Sequence, residues 1–313
     1  MVWYAMLFCA ADIENMEQII TCIPGMPPLH LKDLPNSLRC TDMLEIVGRE
    51  GQATLEADFV LLNTFEELDC PVLDALRRIL PALYSIGPLV LQAESGNDRT
   101  SDISASMWTE ETGCVKWLDC QKPSSVIYVC FGSIAVMSDQ ELLELAWGLE
   151  ASKQPFLWVV RPDLIHGHST VLPSEFLEKV KDRCFLVKWA PQMKVLSHPS
   201  VGGFLTHSGW NSTMESICAG VPMISWPFLA EQPINCKFIS DVWKIGLPMK
   251  EVVTREIVED RVRRLMNGEE GKQMAKRIGE LRDASMTAIG KGGSSYSNME
   301  KFLKELQMGL ANS

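Results

Sequence analysis

The sequence predicts an α/β chain whose second part is a parallel, doubly wound sheet. From about residue 108 onward, short β-type runs alternate with helical patterns. Such alternation gives parallel strands joined by right-handed crossovers. Length is the second observation: 313 residues are long for one domain and comfortable for two, and 46% hydrophobic content permits full cores.

The opening residues, MVWYAMLFCAADIE, are apolar but short, and they meet acids at Asp12 and Glu14. They read as a buried element, not a signal peptide. No run approaches the ~18 apolar residues that span a bilayer. Pro24, Pro27, Pro28 and Pro35 break 23–35 into loop. Residues 41–57 predict a helix, 58–63 a short buried strand and 65–79 a second helix. The polar stretch 89–107, with AESGNDRTSD inside it, reads as an interdomain linker. Strands are then expected at 126–131, 156–160, 184–188, 201–206 and 222–225. Helices are expected between them at 138–152, 174–181, 193–197 and 211–219, and after them at 233–243. Residues 254–289 read as mostly helical, with Thr254 as cap and Glu256 near the first turn. The glycines of 290–293 break that pattern, and an amphipathic helix runs from 294 to about 308.

The net charge of −11 argues against nucleic acid and anionic membrane as partners. Ten cysteines without a C-x-x-C pair, and no secretory signal, read as reduced thiols of a cytoplasmic chain. His166-Gly167-His168 alternates like a metal motif, but no carboxylate or cysteine cluster accompanies it, so it reads as a surface loop. Asn211-Ser212-Thr213 is a glycosylation sequon only in a secreted chain. There is no G-x-G-x-x-G, which disfavours a dinucleotide dehydrogenase.

The chemistry concentrates in 189–232, WAPQMKVLSHPSVGGFLTHSGWNSTMESICAGVPMISWPFLAEQ. The run 201–206 ends at His207, and Ser208-Gly209-Trp210-Asn211-Ser212 opens a helix that Gly220 stops. A strand feeding a helix through small, polar residues leaves free N–H groups and a positive dipole end outside the sheet, a ready phosphate site. His207, Asn211 and Ser212 add side-chain donors. Glu215, at i,i+4 from Asn211, reaches the same mouth and suits ribose hydroxyls as their acceptor. Trp189, at the end of another strand, is either a plate for a flat base or a core aromatic. Ser133, after Phe131-Gly132, is either a phosphate ligand or a turn serine. His198 reads as structural. Together with the Glu231-Gln232 pair, these residues describe a nucleotide-sugar site.

The same stretch resembles the signature box of plant secondary-product glycosyltransferases, which move sugar from a UDP-sugar to a small acceptor. The match runs through W-A-P-Q, H-x-G-W-N-S-x-x-E, G-V-P, W-P and the closing acid-Gln pair. Outside it, IPGMPPLHLKDLP, LLNTFEELD, YSIGPL and WLDCQKPSSVIYVCFGS are similar too. The resemblance implies two Rossmann-like domains of the GT-B type, the N-terminal one incomplete. Residues 1–104 would hold part of the acceptor-binding domain plus linker, 105–293 the UDP-sugar-binding domain, and 294–313 a helix returning to the first. It assigns donor binding to Ser133, Trp189, Ala190, Gln192, His207, Gly209, Trp210, Asn211, Ser212, Glu215, Ala230, Glu231 and Gln232, with no metal and no cofactor beyond the co-substrate. The function it implies is inverting transfer, with glucose as the sugar and a small hydrophobic aglycone as acceptor, by a monomer. It places a base His, oriented by an Asp, in a segment preceding this one, and neither motif occurs in this sequence. The alternative is a UDP-sugar-binding chain without turnover.

Overall fold

The computed structural model describes residues 16–35, 41–95, 110–165 and 172–312. His166 and His168 lie outside them. Contacts sort the chain into two units, one of 1–103, 229–234 and 281–313, the other of 104–228 and 235–280.

In chain order the strands are β1 Ile19–Ile20, β2 Leu29–His30, β3 Val60–Leu62, β4 Leu83–Ser85, β5 Val126–Cys130, β6 Phe156–Val159, β7 Cys184–Val187, β8 Val201–Thr206, β9 Met223–Ser225 and β10 Gly246–Pro248. The helices are α1 Thr41–Glu56, α2 Glu66–Arg77, α3 Leu89–Ser95, α4 Gly113–Asp119, α5 Asp139–Ser152, α6 Ser174–Val180, α7 Gln192–Leu196, α8 Trp210–Ala219, α9 Gln232–Lys237, α10 Arg255–Asn267, α11 Glu269–Ile289 and α12 Ser294–Asn312.

Among the described residues the first unit holds two small sheets. β3 and β4 pair in parallel, Val60 opposite Leu83. The helix α12 packs on β4 through side chains that satisfy backbone: Asn298 Nδ2 donates to Ser85 O at 3.0 Å, and Ser295 Oγ to Gly87 O at 2.5 Å. Phe302 meets Phe59 edge-on, with centroids 5.4 Å apart. A cavity of about 380 Å³ lies beside this contact, lined by Glu66, Arg77, Tyr84, Asn298 and Lys301 among others. Its polar groups are spent on one another, because Glu66 accepts from Arg77, Ser85 and Asn298.

The second unit is a six-stranded parallel sheet in the order β10-β9-β8-β5-β6-β7. Counted within the unit, that is the doubly wound order 3-2-1-4-5-6, as the alternating pattern predicts. Every residue of β5 is buried. Ile127, Val129, Phe156, Trp158 and Leu205 form one apolar core with the inner faces of α5, α6 and α10. The N-terminus of α5 is fixed by a capping box, in which Ser138 Oγ accepts from Glu141 N at 3.2 Å and Glu141 Oε2 from Ser138 N at 2.8 Å.

Several expectations need correction. The predicted linker 89–107 begins with the helix α3, and its residues from 96 on lie outside the described residues. The proline-rich 23–35 is not all loop: Leu29–His30 pairs antiparallel with Ile19–Ile20, and a 3₁₀ turn follows. The helix expected at 233–243 changes pitch after Lys237 into a π turn, Phe238–Val242. Gly268 divides 254–289 into two helices. The short elements β4, α4 and β10 were not anticipated. The described cysteines are free thiols, as the sequence reading expects.

Candidate functional site

In a doubly wound sheet, ligands sit outside the carboxyl ends of the strands, where the strand order reverses. Here that point lies between β5 and β8, the unit's first and fourth strands. β5 runs out through Phe131 into Gly132-Ser133, and β8 into His207-Ser208-Gly209. Two loops that carry sequence-predicted residues are thereby brought side by side.

The centre of the arrangement is the His207 ring, wedged between two glycines. A Cβ on Gly132, which has φ 68°, would lie 2.6 Å from His207 Cε1, and one on Gly209 2.5 Å from its Nε2. Neither glycine admits a side chain while the ring stays in place. Burial pushes the imidazole pKa down to about 4, and the nearby Arg161 guanidinium adds to the shift. At neutral pH the ring is uncharged and carries one N–H to donate. Nδ1 lies 3.5 Å from Thr206 Oγ1, and Nε2 has no partner among the described residues.

The helix α8 starts here. Its N-cap is Gly209, with no side-chain cap, so its first N–H groups are left for a ligand. Ser208 holds the turn at φ 64° and is wholly buried. Its carbonyl accepts from Asn235 Nδ2 at 2.8 Å. Asn211 is exposed, and the Trp210 ring packs 6.3 Å from Trp243.

Behind α8, Gln192 organises a buried polar network. Its Nε2 donates to Ser212 Oγ at 2.9 Å and to Glu215 Oε2 at 2.5 Å, and its Oε1 accepts from the Tyr128 hydroxyl at 3.3 Å. With its oxygen accepting, the Ser212 hydroxyl keeps its proton to donate outward. Burial raises the Glu215 pKa, opposed by the bond from Gln192. Glu215 Oε1 meets no donor among the described residues. Trp189 is half-buried and Ala190 buried beside it. The Trp189 carbonyl is tied to Glu111 N at 2.9 Å.

Ala230, Glu231 and Gln232 belong to the segment 229–234, grouped with the first unit. Ala230 adopts φ 53°. Glu231 is exposed, while Gln232 is buried and its Oε1 accepts from Leu229 N at 3.0 Å. His198 is held by Ser200 Oγ at 2.8 Å and Asp119 at 3.2 Å, the structural role its sequence context suggests. No group of three His, Cys, Asp or Glu able to hold a metal occurs among the described residues. None of their helices is long and apolar enough to cross a membrane.

Sequence reasoning missed Tyr128, Asn235 and Arg161. A signal for Arg161 was available: a charged residue directly after the apolar run FLWVV, at the carboxyl end of a central strand.

Comparison with known proteins agrees with this topology. The family described as UDP-glucoronosyl and UDP-glucosyl transferase matches residues 109–287. The chain is 51% identical over 297 residues to a 7-deoxyloganetin glucosyltransferase of Gardenia jasminoides, covering 93% of this chain and 62% of that protein. It is 44% identical to an (R)-mandelonitrile beta-glucosyltransferase of Prunus dulcis, covering 95% of this chain and 63% of that one. Among solved structures, UGT2 of Phytolacca americana, complexed with UDP-2fluoro-glucose and pterostilbene, superposes with a TM-score of 0.83 at 33% identity, over 97% of this chain and 67% of that one. The chain belongs to the UDP-glycosyltransferase family, in its plant branch, and its fold is of the GT-B type. It spans a little over three-fifths of the length of the curated relatives it matches.

Proposed function

We propose that the second unit binds the nucleotide of a UDP-sugar and that the chain serves inverting O-glycosyl transfer, with glucose as the sugar and a small hydrophobic hydroxyl compound as acceptor. The observation that carries the reading is the His207 ring set between Gly132 and Gly209 at the open N-terminus of α8. In this reading the diphosphate meets the first N–H groups of α8, His207, Ser212 and Ser133. Trp189 and Ala190 flank the base, and Glu215, steadied by Gln192, accepts from the ribose. Gly209, Trp210 and Asn211 complete the phosphate end; Ala230, Glu231 and Gln232 take the sugar. Residues 105–293 would act as the donor domain, and 1–104 with 294–313 as the acceptor side. The glucosyltransferase names of the relatives and the UDP-2fluoro-glucose bound to the Phytolacca protein support glucose.

Chemically, donors fixed before reaction take up the charge that develops on leaving diphosphate, and a single such donor is typically worth about 3–4 kcal/mol in the transition state. In this reading His207, Ser212, Ser133 and the helix N–H groups take up that charge, and no metal is called for. An attacking hydroxyl also needs a base, which contributes roughly 10²–10⁴-fold. None of the three described histidines suits that role: His30 bonds the Glu17 carbonyl at 3.1 Å, His198 is held by Ser200 and Asp119, and His207 belongs to the phosphate end. That observation favours, as a second reading, donor binding without turnover by this chain alone.

Titration calorimetry with UDP tests the first reading. UDP is expected to bind, His207→Ala to weaken it about tenfold or more, and His198→Ala to leave it unchanged. No heat at millimolar UDP from a folded sample would sink it. UDP-galactose should bind less tightly than UDP-glucose by about 1–3 kcal/mol, because a mispaired hydroxyl leaves a buried polar group unsatisfied. Turnover assayed with UDP-glucose and small alcohols separates the two readings.

A further inference from the structure

Arg161 is the basic side chain most withdrawn from water among the described residues, at 2% exposure. It follows β6 and reaches across to the loop after β5. Its two terminal nitrogens donate to the carbonyls of Ser133 and Ala135. Its acidic neighbour, Asp163, is 3.4 Å away and more than half exposed. The same two loops are joined again one step on, where Met137 N donates to Leu164 O at 2.9 Å and Met137 bridges Ile165 in parallel.

A trans peptide points its C=O and the following N–H in opposite directions. With the Ser133 and Ala135 carbonyls fixed on the guanidinium, the N–H groups of Ile134 and Val136 must point away from it. Residues 132–134 form a turn, and the Ile134 and Val136 N–H groups make no hydrogen bond of ordinary length and angle among the described residues. The loop directly follows Gly132, which lies against His207. A planar fork with several donors can hold two carbonyls at once, whereas an ammonium cannot span them in the same way.

We propose that Arg161 is a positioning residue for the diphosphate: it holds loop 133–136 so that the Ser133 hydroxyl and the Ile134 and Val136 N–H groups face the phosphates. This rests on the UDP-binding reading above. Arg161 touches no part of the ligand in this scheme. It acts by spending two carbonyls inward and leaving their peptide N–H groups outward. Its permanent charge, only partly offset by Asp163, also makes that end of the site attractive to an anion.

The test compares UDP with uridine, which shares the base and ribose but has no phosphate, using the full chain and competition calorimetry. In wild type, UDP should bind far more tightly than uridine. Arg161→Gln should weaken UDP about tenfold or more while uridine changes less than about threefold. A residue that merely supports the core would weaken both together, or neither. Arg161→Lys is the milder change, kept for the case in which the Gln variant does not fold. It retains the charge, loses the fork, and should weaken UDP about two- to fivefold with uridine unchanged. Equal losses on the two ligands, or a Lys variant that melts and binds both as wild type does, would overturn the assignment. If wild type itself binds no UDP, the nucleotide reading fails and takes this one with it. If wild type binds and the variants discriminate as well as it does, only this one fails.

Discussion

At the scale of single residues, burial decides which groups carry charge. His207 is neutral at pH 7 because burial disfavours its charged form. Asp69 is the opposite case, a carboxyl held where ionisation is costly. Thr64 Oγ1 donates to its Oδ2 at 2.7 Å, yet burial pushes its pKa from 3.8 to about 6. Below the unfolded value, both states are protonated and nothing is lost. As pH rises from about 4 to 6, the unfolded chain ionises first and stability falls. Above 6 the penalty is constant, with a ceiling of about 3 kcal/mol. Asp69→Asn should therefore gain about 1–3 kcal/mol at pH 7.5 and almost nothing at pH 3.5, measured as the difference from wild type in urea unfolding. His207 also destabilises the fold as pH drops from 6.5 towards 4, but that contribution cancels in the difference. A variant whose advantage does not depend on pH would show that Asp69 ionises as freely in the fold as outside it.

At the scale of elements, the N-termini of α8 and α10 have different fates. α8 begins at a glycine with no cap and leaves its donors open. α10 begins at Thr254, also without a side-chain cap bond, but Glu144 of α5 covers it. Glu144 accepts from Arg255 N at 2.7 Å and from Arg255 Nη2 at 2.7 Å, and these bonds hold its pKa below the usual carboxylate range. A carboxylate there serves the helix dipole and a guanidinium together. Glu144→Gln should cost about 1–2 kcal/mol, read as a lower midpoint in thermal unfolding with UDP affinity unchanged. A loss of UDP binding at equal folded fraction would mean that α10 shapes the site.

The long alternating part was legible because VIYVCF, FLWVV and VGGFLT are apolar runs with small or polar exits, the pattern of buried parallel strands. What escaped the sequence reading depends on partners far along the chain. Gly246–Pro248 has three residues and a proline, and becomes a strand only because β9 offers an edge. Leu83–Ser85 needs β3 in the same way. Gln192 stood in the W-A-P-Q motif, but its three partners come from β5 and α8, and no spacing announces them. Arg161 acts through carbonyls, which every residue has.

At the scale of the whole molecule, the two units are unequally equipped. The second unit closes a six-stranded sheet around one core, whereas the described sheets of the first have two strands each. Two-stranded sheets are marginal unless a helix covers them, and here α12 does so through Asn298, Ser295 and Phe302. Unequal cores should open at unequal cost. Calorimetry is expected to show two unfolding steps, and hydrogen exchange to assign the lower to β3, β4 and α12 and the upper to β5 and β8. Most of the proposed UDP contacts belong to the second unit. At about a hundredfold excess over its dissociation constant, UDP adds about 2.7 kcal/mol to whatever it binds. For a unit of this size, that raises a midpoint by roughly 5–10 °C. The upper step should move and the lower should stay. A single step that shifts as a whole would show that the units unfold as one body. A shift confined to the lower step would place the nucleotide on β3, β4 and α12, away from His207.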